Sequence, residues 1–204
     1  MDKDQLHALL YEALETEHGG VQVYEHAIAC AVNQDLANEW EKYLEQTRNH
    51  VKVLTEVIAS LGLNPDQETP GRTAVRHAGK SLVNTIRLAQ TAGKPNAAEI
   101  VAAECVVQAE TKDHMNWELI GAASEALTGT EQEILKKAYD EVEDEEDEHL
   151  YHTTGWVREL HLQALGLPAQ LPPVEEEEDV KTEVEAAAVR SERKESLSRK
   201  GNRI

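Results

Sequence analysis

Four segments of this sequence carry apolar residues at alternating spacings of three and four, and each stripe is interrupted near its middle by an ionisable side chain. Such spacing places residues on one face of an α-helix, so the stripes predict four long amphipathic helices. The interrupting residues are Glu17, His50, Glu110 and the pair Glu146 and His149. A buried carboxylate or imidazole is unfavourable unless it is paired or binds a metal. The helices must therefore pack so that these polar groups find partners.

The connections between the stripes define the expected topology. A very short turn at Asn33 and Gln34 joins the first two stripes, Leu6 to Ile28 and Leu36 to Leu61. More than 30 residues separate the second stripe from the third, and Val75–Ala92 within them is predicted to be a shorter helix. A crossover of this length lets the second and third long helices run parallel. The sequence thus predicts an all-α, antiparallel four-helix bundle with a long helical crossover between helices two and three.

Local patterns add detail to this prediction. Gly19 and Gly20 are unfavourable within a helix, so they indicate a close approach of another helix or a bend. Asn96 followed by Glu99 predicts a capping box at the start of the third long helix. The apolar residues expected along the crossover helix are Leu82, Ile86 and Leu88.

The densest charge in the chain is an acidic run from Asp140 to Glu148, which contains eight carboxylates within the fourth stripe. Like charges three or four residues apart on a helix repel each other by roughly 0.2–0.5 kcal/mol per pair. A multivalent cation is one candidate for offsetting this cost. Glu146 and His149 lie three residues apart and therefore on one helix face, as in carboxylate metal sites built between helices.

Each interrupting residue also has an ordinary structural explanation. Glu17 could be hydrogen-bonded to a tyrosine, or lie near the surface, and a single core histidine such as His50 is more often satisfied by a hydrogen bond. An internal repeat favours a metal site. Glu17 precedes Tyr24 by seven residues, and Glu110 precedes Trp117 by seven. Each is followed in the next long helix by a core-facing histidine, so two related hairpins would build a two-metal centre.

Charge and composition exclude several classes of protein. The formal net charge of −19 argues against nucleic acid and anionic membranes as partners and is compatible with cation binding. No apolar run reaches the roughly 18 residues of a membrane span. The segment Met1–Leu10 lacks an apolar signal core, so a cytoplasmic location is expected. Cys30 and Cys105 are predicted to be buried free thiols.

Glu17 with Tyr24, Glu110, and the Glu-x-x-His formed by Glu146 and His149 together resemble the ferritin-like di-metal carboxylate superfamily, and most closely its rubrerythrin-like and small stress-associated members. The resemblance covers about residues 4–165 and implies a ferritin-like four-helix bundle. It also implies two iron or manganese ions and a reaction with peroxide or dioxygen.

The resemblance assigns roles to individual residues. Glu17 and Glu110 would be terminal or chelating carboxylates, and Glu146 would bridge the two ions. Each ion would be bound by one imidazole, His50 or His149. Tyr24 would be a hydrogen-bond donor or an electron source close to the site, although it could also be simply packed.

The sequence departs from the family pattern at Thr47, where the second helix of the family carries a glutamate three residues before its histidine. One bridging carboxylate is therefore missing, because Glu45 lies on another face of the helix. Asp113, one turn after Glu110, is the expected replacement. His18, His114 and His152 are further candidates for outer hydrogen-bonding groups.

Three functions are consistent with these features. The first is a di-metal oxidoreductase that acts on peroxide or dioxygen in stress protection, with a small oxidant and a separate electron donor as partners. The second is a metal-binding or iron-handling protein without turnover, and the third is a structural bundle with a degenerate site. A homodimer is one assembly that the sequence leaves open. Residues 1–165 are expected to form the bundle, and 166–204 a proline-containing linker and a flexible charged tail.

Overall fold

A computed structural model describes the backbone of residues 1–201 and the side chains of residues 1–194. All regular secondary structure in that range is α-helical, so the prediction of an all-α fold is confirmed. The helices are α1 (Lys3–Ile28), α2 (Gln34–Ser60), α3 (Pro70–Thr91), α4 (Pro95–Ala126), α5 (Thr130–Ala164), α6 (Val174–Glu177) and α7 (Glu183–Gly201).

The directions of the four long helices follow from two separate apolar cores. The first core holds the end of α1 (Val23 to Ala27) and the beginning of α2 (Leu36 to Leu44). It also holds the beginning of α4 and the end of α5. The second core holds the opposite ends of the same four helices. Helices α1 and α5 therefore run in one direction, and α2 and α4 run in the other.

The polar residues that interrupt the sequence stripes lie between these two cores. On α1 the buried apolar residues stop at Leu14 and resume at Val23, and Glu17 lies between them. On α5 they stop at Val142 and resume at Trp156, and Glu146 and His149 fall in that gap. The fold thus places these buried ionisable groups in one layer between the two cores.

Helix α3 is the crossover that the length of the second connection requires, and it packs against α1 and α4. Val83 and Ile86 belong to the first core and Leu82 packs against it, whereas the side chain of Leu88 is 72% exposed. Helix α3 approaches α1 closely at the glycines. A Cβ atom added to Gly79 would lie 3.4 Å from the Cα atom of Gly19, which agrees with the close approach expected there.

Helix α4 begins differently from its prediction. Its N-cap residue is Lys94, and Pro95 is its first residue, so no capping box forms at Asn96. The Glu99 carboxylate instead accepts hydrogen bonds from the backbone N–H groups of Val32 (2.7 Å) and Asn33 (2.6 Å). It therefore fixes the turn between α1 and α2, a contact between residues far apart in sequence.

The segment beyond residue 165, which was expected to be a linker and a flexible charged tail, contacts α5 in its described part. Arg158 on α5 forms two hydrogen bonds with the buried Glu175 at 2.6 and 2.7 Å. Arg193 on α7 pairs with Glu159, which is completely buried. These ion pairs connect charges distant in sequence, so a search for apolar periodicity does not detect them. Residues 202–204 lie outside the described range.

Among the described helices, none combines the length and the apolar character that a membrane span requires.

Candidate metal centre

The structure brings the six predicted ligand residues together in the polar layer between the two cores. Each of their side chains is at most 3% exposed. They come from all four long helices: Glu17, His50, Glu110, Asp113, Glu146 and His149. The predicted tyrosine, Tyr24, is fully buried where the first core meets this layer, and its ring centroid lies 6.1 Å from that of His149.

Five of these residues form two groups that share Glu146. The first group is Glu17, His50 and Glu146, and the second is Glu110, Glu146 and His149. Within each group, one ligand atom from every residue lies within 4.8 Å of the others. Two ligands bound at about 2.1 Å to one ion lie at most about 4 Å apart, so a small contraction would place each group on a single ion.

Both histidines present the same nitrogen to this layer. His50 Nδ1 lies 2.9 Å from Glu146 Oε1 and 3.6 Å from Glu17 Oε1. His149 Nδ1 lies 3.5 Å from Glu110 Oε2 and 3.7 Å from Glu146 Oε1. None of these contacts is aligned as a hydrogen bond, so both Nδ1 atoms remain unpaired among the described residues.

The other ring nitrogen of each imidazole, Nε2, contacts a side chain that belongs to neither group. His50 Nε2 lies 2.7 Å from Glu145 Oε2, and His149 Nε2 lies 3.1 Å from Gln46 Oε1. An acceptor at Nε2 fixes the proton there and leaves the Nδ1 lone pair directed at the cluster, which is the tautomer that a metal-binding histidine needs. Trp117 Nε1 similarly donates to Glu17 Oε1 at 2.8 Å and orients that carboxylate.

Several buried atoms of this layer have no hydrogen-bond partner within the described part of the chain. They are Glu17 Oε2, His50 Nδ1, Glu110 Oε2, Asp113 Oδ1, Glu146 Oε2, His149 Nδ1 and the hydroxyl of Tyr24. Unpaired buried polar atoms are rare in folded proteins, and each costs about 1–3 kcal/mol. Their convergence at one place, with lone pairs on carboxylates and imidazoles, fits the requirements of bound cations.

The buried carboxylates of the layer are also unfavourable in their charged forms unless a positive charge lies close to them. Burial raises the pKa of Glu146 to about 7; His50 opposes this shift, and the charges of Glu17 and Glu110 add to it. Burial acts to lower the pKa of His50, but Glu17 and the contacts with Glu145 and Glu146 outweigh it and raise that pKa well above its usual value. Without a cation, the layer therefore retains protons that its carboxylates would release in water.

Asp113 lies next to the two groups but belongs to neither. Its carboxyl is buried, and burial followed by the charges of Glu17, Glu146 and Glu110 raises its pKa well above the usual value. Asp113, the predicted replacement for the missing bridging carboxylate, thus lies inside the layer beside the two groups, and its carboxyl favours the protonated form.

Thr47 provides no ligand in this arrangement. Its hydroxyl donates to the backbone oxygen of Tyr43 at 2.8 Å, within its own helix. A Cβ atom added to Gly20 would lie 3.3 Å from the Thr47 methyl group, so α1 and α2 approach closely at this level. Glu45 faces away and pairs with Arg48 on the surface, as its helical position predicts.

The acidic run on α5 is accommodated because its members point to different sides of the helix. Glu146 points between the helices, whereas four of the other seven acidic residues meet cationic or imidazole partners. The pairs are Asp140 with Lys136 (2.7 Å), Glu145 with His50 (2.7 Å), Asp147 with His114 (2.6 Å), and Glu148 with Lys42 (2.7 Å) and Lys181 (3.0 Å). Repulsion along the run is therefore offset in part by pairing, and Glu146 is the member of the run that lies within both groups.

Sequence reasoning missed the groups that orient the ligands. The ligand residues are oriented by three side chains outside the groups: Glu145, Gln46 and Trp117. The only sequence signal for Glu145 was its position next to Glu146. Of the predicted outer histidines, His18 is exposed and His114 pairs with Asp147. His152 does lie behind the centre. Its Nδ1 is 2.9 Å from the hydroxyl of Tyr43, whose ring centroid lies 4.2 Å from that of His149.

Comparisons of the chain with protein-family models, curated proteins and solved structures found no match.

Proposed function

We propose that this chain is a ferritin-like two-metal carboxylate protein that binds two iron or manganese ions between its four long helices. The observation that carries the proposal is the sharing of Glu146 by two buried groups, each of which contains one imidazole and one further glutamate. A carboxylate between two such groups is the arrangement of a bridging ligand. The directions of the helices and the long crossover α3 support the ferritin-like assignment.

The chemistry of the ligands limits the choice of metal. Carboxylate oxygens and imidazole nitrogens suit iron and manganese, and the described residues at this layer offer no thiolate. Cys30 and Cys105 are free and lie in the first core. Two divalent ions would offset the negative charge of the three carboxylates that belong to the groups, Glu17, Glu110 and Glu146.

Bound in this site, two redox-active ions would supply electrons to peroxide or dioxygen. The protein residues would hold the ligands in place and exclude bulk water, because each predicted ligand is nearly inaccessible. Asp113 and Tyr24 would keep a proton each close to the ions. Burial, together with the charge of Glu110, raises the pKa of Tyr24 well above its usual value, so its hydroxyl stays a donor. An electron donor would have to be a separate partner.

A second candidate is a metal-binding protein, or a purely structural bundle, with a degenerate site and no turnover. The position of Thr47 favours it, because the hydroxyl is engaged with its own helix and a bridging carboxylate is missing. The separation of Asp113 from both groups favours it as well.

Metal content decides between these proposals. The chain should be purified without a chelator or a metal affinity step, and its iron and manganese measured by elemental analysis. We expect about two ions per chain, and oxidation of the iron(II) form by peroxide or dioxygen would then support the oxidoreductase. Two ions without turnover would favour the metal-binding protein. A content near zero that stays there after anaerobic iron(II) addition would leave only the structural bundle.

Replacement of Thr47 by Glu tests the missing bridge. We expect the affinity for the second metal ion to rise about tenfold or more, because each added carboxylate ligand strengthens the binding of a hard cation. Isothermal titration with manganese(II) would measure it. Thr47→Gln is the matched control, because Gln has the size of Glu but no charge. It should leave the affinity for the second ion unchanged or lower it. Equal affinity in the wild type and Thr47→Glu would contradict the assignment of Thr47 as the position of the missing bridge.

A further inference from the structure

The two-metal centre is buried, so ions must reach it through some opening between the helices. One cavity of about 200 Å³ connects the surface with a ligand of the centre. It is bounded by α4, α5 and the beginning of α7. At its inner end lies Glu146, which is 1% exposed and whose Oε2 is unpaired among the described residues.

Four further carboxylates line the same cavity, and we call this set with Glu146 the acidic vestibule: Glu118, Glu143, Glu146, Asp147 and Glu183. The Glu118 side chain is 65% exposed, whereas that of Asp147 is 17% exposed and accepts a hydrogen bond from His114 at 2.6 Å. Exposure of the carboxylates thus falls from the rim towards the centre.

The electrostatic potential inside the vestibule is negative, and it raises the pKa of a tyrosine in the wall. Burial raises the pKa of Tyr139, and the contacts with Glu143 and then the charges of Asp147 and Glu118 raise it further. The ring of Tyr139 fits against α4 only because residue 121 is glycine. A Cβ atom there would lie 2.7 Å from the Tyr139 ring.

A second cavity has a different character. It is smaller, about 80 Å³, and lies where α3 crosses α1 and α4. Apolar side chains and glycines, such as Val23, Leu82 and Gly79, form most of its wall, and its two charged residues, Glu15 and Lys112, have opposite signs. A hydrated cation would therefore be attracted more strongly to the acidic vestibule than to this cavity.

We propose that the acidic vestibule is the binding and entry site through which divalent cations reach the two-metal centre, and that they are handed from the rim carboxylates to the unpaired oxygen of Glu146. This inference rests on the proposed function, since it requires a centre that binds metal. Clefts lined by charge of one sign raise the association rate of an oppositely charged ligand by about 10–10³-fold.

The test is the rate of cobalt(II) binding to the full chain, followed by stopped-flow absorbance as the metal reaches the centre. Cobalt(II) has visible bands and is not oxidised during the measurement. In Glu118→Gln/Glu143→Gln we expect the association rate to fall about tenfold or more, with a weaker dependence on ionic strength. The final stoichiometry should equal that of the wild type, because neither residue belongs to the centre.

The matched control is Glu125→Gln/Glu141→Gln. It makes the same change in net charge on the same two helices, at exposed residues that do not line the vestibule. We expect its rate to stay close to that of the wild type. Equal rates in the two double variants would overturn the vestibule and leave the two-metal centre intact. If the wild type itself binds no cobalt(II), the two-metal proposal fails and the entry site fails with it.

Circular dichroism of both double variants separates this result from a loss of folding. As a second variant, Glu143→Arg would place a positive charge on the same wall. We expect Glu143→Arg to bind cobalt(II) more slowly than Glu143→Gln at low salt. At high salt the rates of the two variants should become similar. A Glu143→Arg rate equal to that of Glu143→Gln at low salt would contradict electrostatic entry by this route.

Discussion

Glu146→Gln should abolish binding at both metal positions while the helical content of the protein stays the same. Glu146 is the one residue present in both ligand groups, so its replacement removes a ligand from each ion. An amide oxygen carries no charge and is a poor substitute for a bridging carboxylate. We expect the metal content to fall from about two ions per chain to nearly zero, measured by elemental analysis after equilibration with manganese(II).

The same substitution should stabilise the protein in the presence of a chelator. Burial raises the pKa of Glu146 to about 7, so ionisation of this carboxyl at pH 8 is unfavourable in the folded state. Replacement by a neutral group of the same size removes that cost. We expect the melting temperature of the chelated protein at pH 8 to rise by about 3 °C or more.

Glu99→Gln is the matched control, because Glu99 is also a buried carboxylate but lies outside the centre. It accepts two backbone hydrogen bonds at the turn between α1 and α2. Hydrogen bonds to a charged acceptor are stronger than those to an amide, so this variant should lose stability and keep its metal. If Glu146→Gln retained two ions, or if both variants lost metal equally, the shared-ligand model would be wrong.

The stability of the metal-free protein should fall as pH rises from 5 to 8. Glu146 has an unfolded pKa near 4.5 and a folded pKa of about 7, so the folded state binds the extra proton between these values. The stabilisation is complete below the unfolded pKa and is lost as pH rises through the folded pKa. Glu146 alone accounts for on the order of 3 kcal/mol of unfolding free energy.

Other groups act in the same direction over this range. The folded pKa values of Asp113 and His50 are also raised, so each contributes stability that disappears at higher pH. Carboxylates whose pKa is lowered by ion pairs, such as Glu15 and Glu148, lose their contribution only below the usual carboxyl range. They do not offset the trend between pH 5 and 8.

Bound metal should reverse this dependence. Ligands bind an ion in their deprotonated forms, so apparent metal affinity increases with pH, and the stability that binding adds increases with it. Urea unfolding at pH 5, 6, 7 and 8, with chelator and with excess manganese(II), would measure both curves. In chelator, Glu146→Gln should show a shallower slope than the wild type. A chelated wild type that gains stability from pH 5 to 8 would refute this account of the polar layer.

Much of the candidate centre could be predicted from the sequence because it depends on helical periodicity. A residue that interrupts an apolar stripe must face the interior if the stripe does, so periodicity alone places Glu17, His50, Glu110 and Glu146 in the interior. The spacing of three between Glu146 and His149 similarly determined that both lie on one face of a helix. Periodicity also predicted the long helices and the crossover.

What periodicity does not encode is contact between charges that are distant in sequence. The pairing of Arg193 with Glu159 and the hydrogen bonds that Glu99 accepts from the turn at Asn33 depend on tertiary packing. Neither contact was predicted from the sequence, and the capping box expected at Asn96 does not form. The same limit hid Glu145 and Gln46, which fix the tautomers of the two histidines.

The sequence by itself determined the helices, their polar interruptions and the departure at Thr47. Only the tertiary structure decided that five of the six predicted ligand residues form two groups around one shared carboxylate, and that Asp113 lies beside them instead of within them. The physical reason is distance. Helical periodicity specifies the face on which a side chain lies, but helix packing sets which atoms across that face come within reach of one ion.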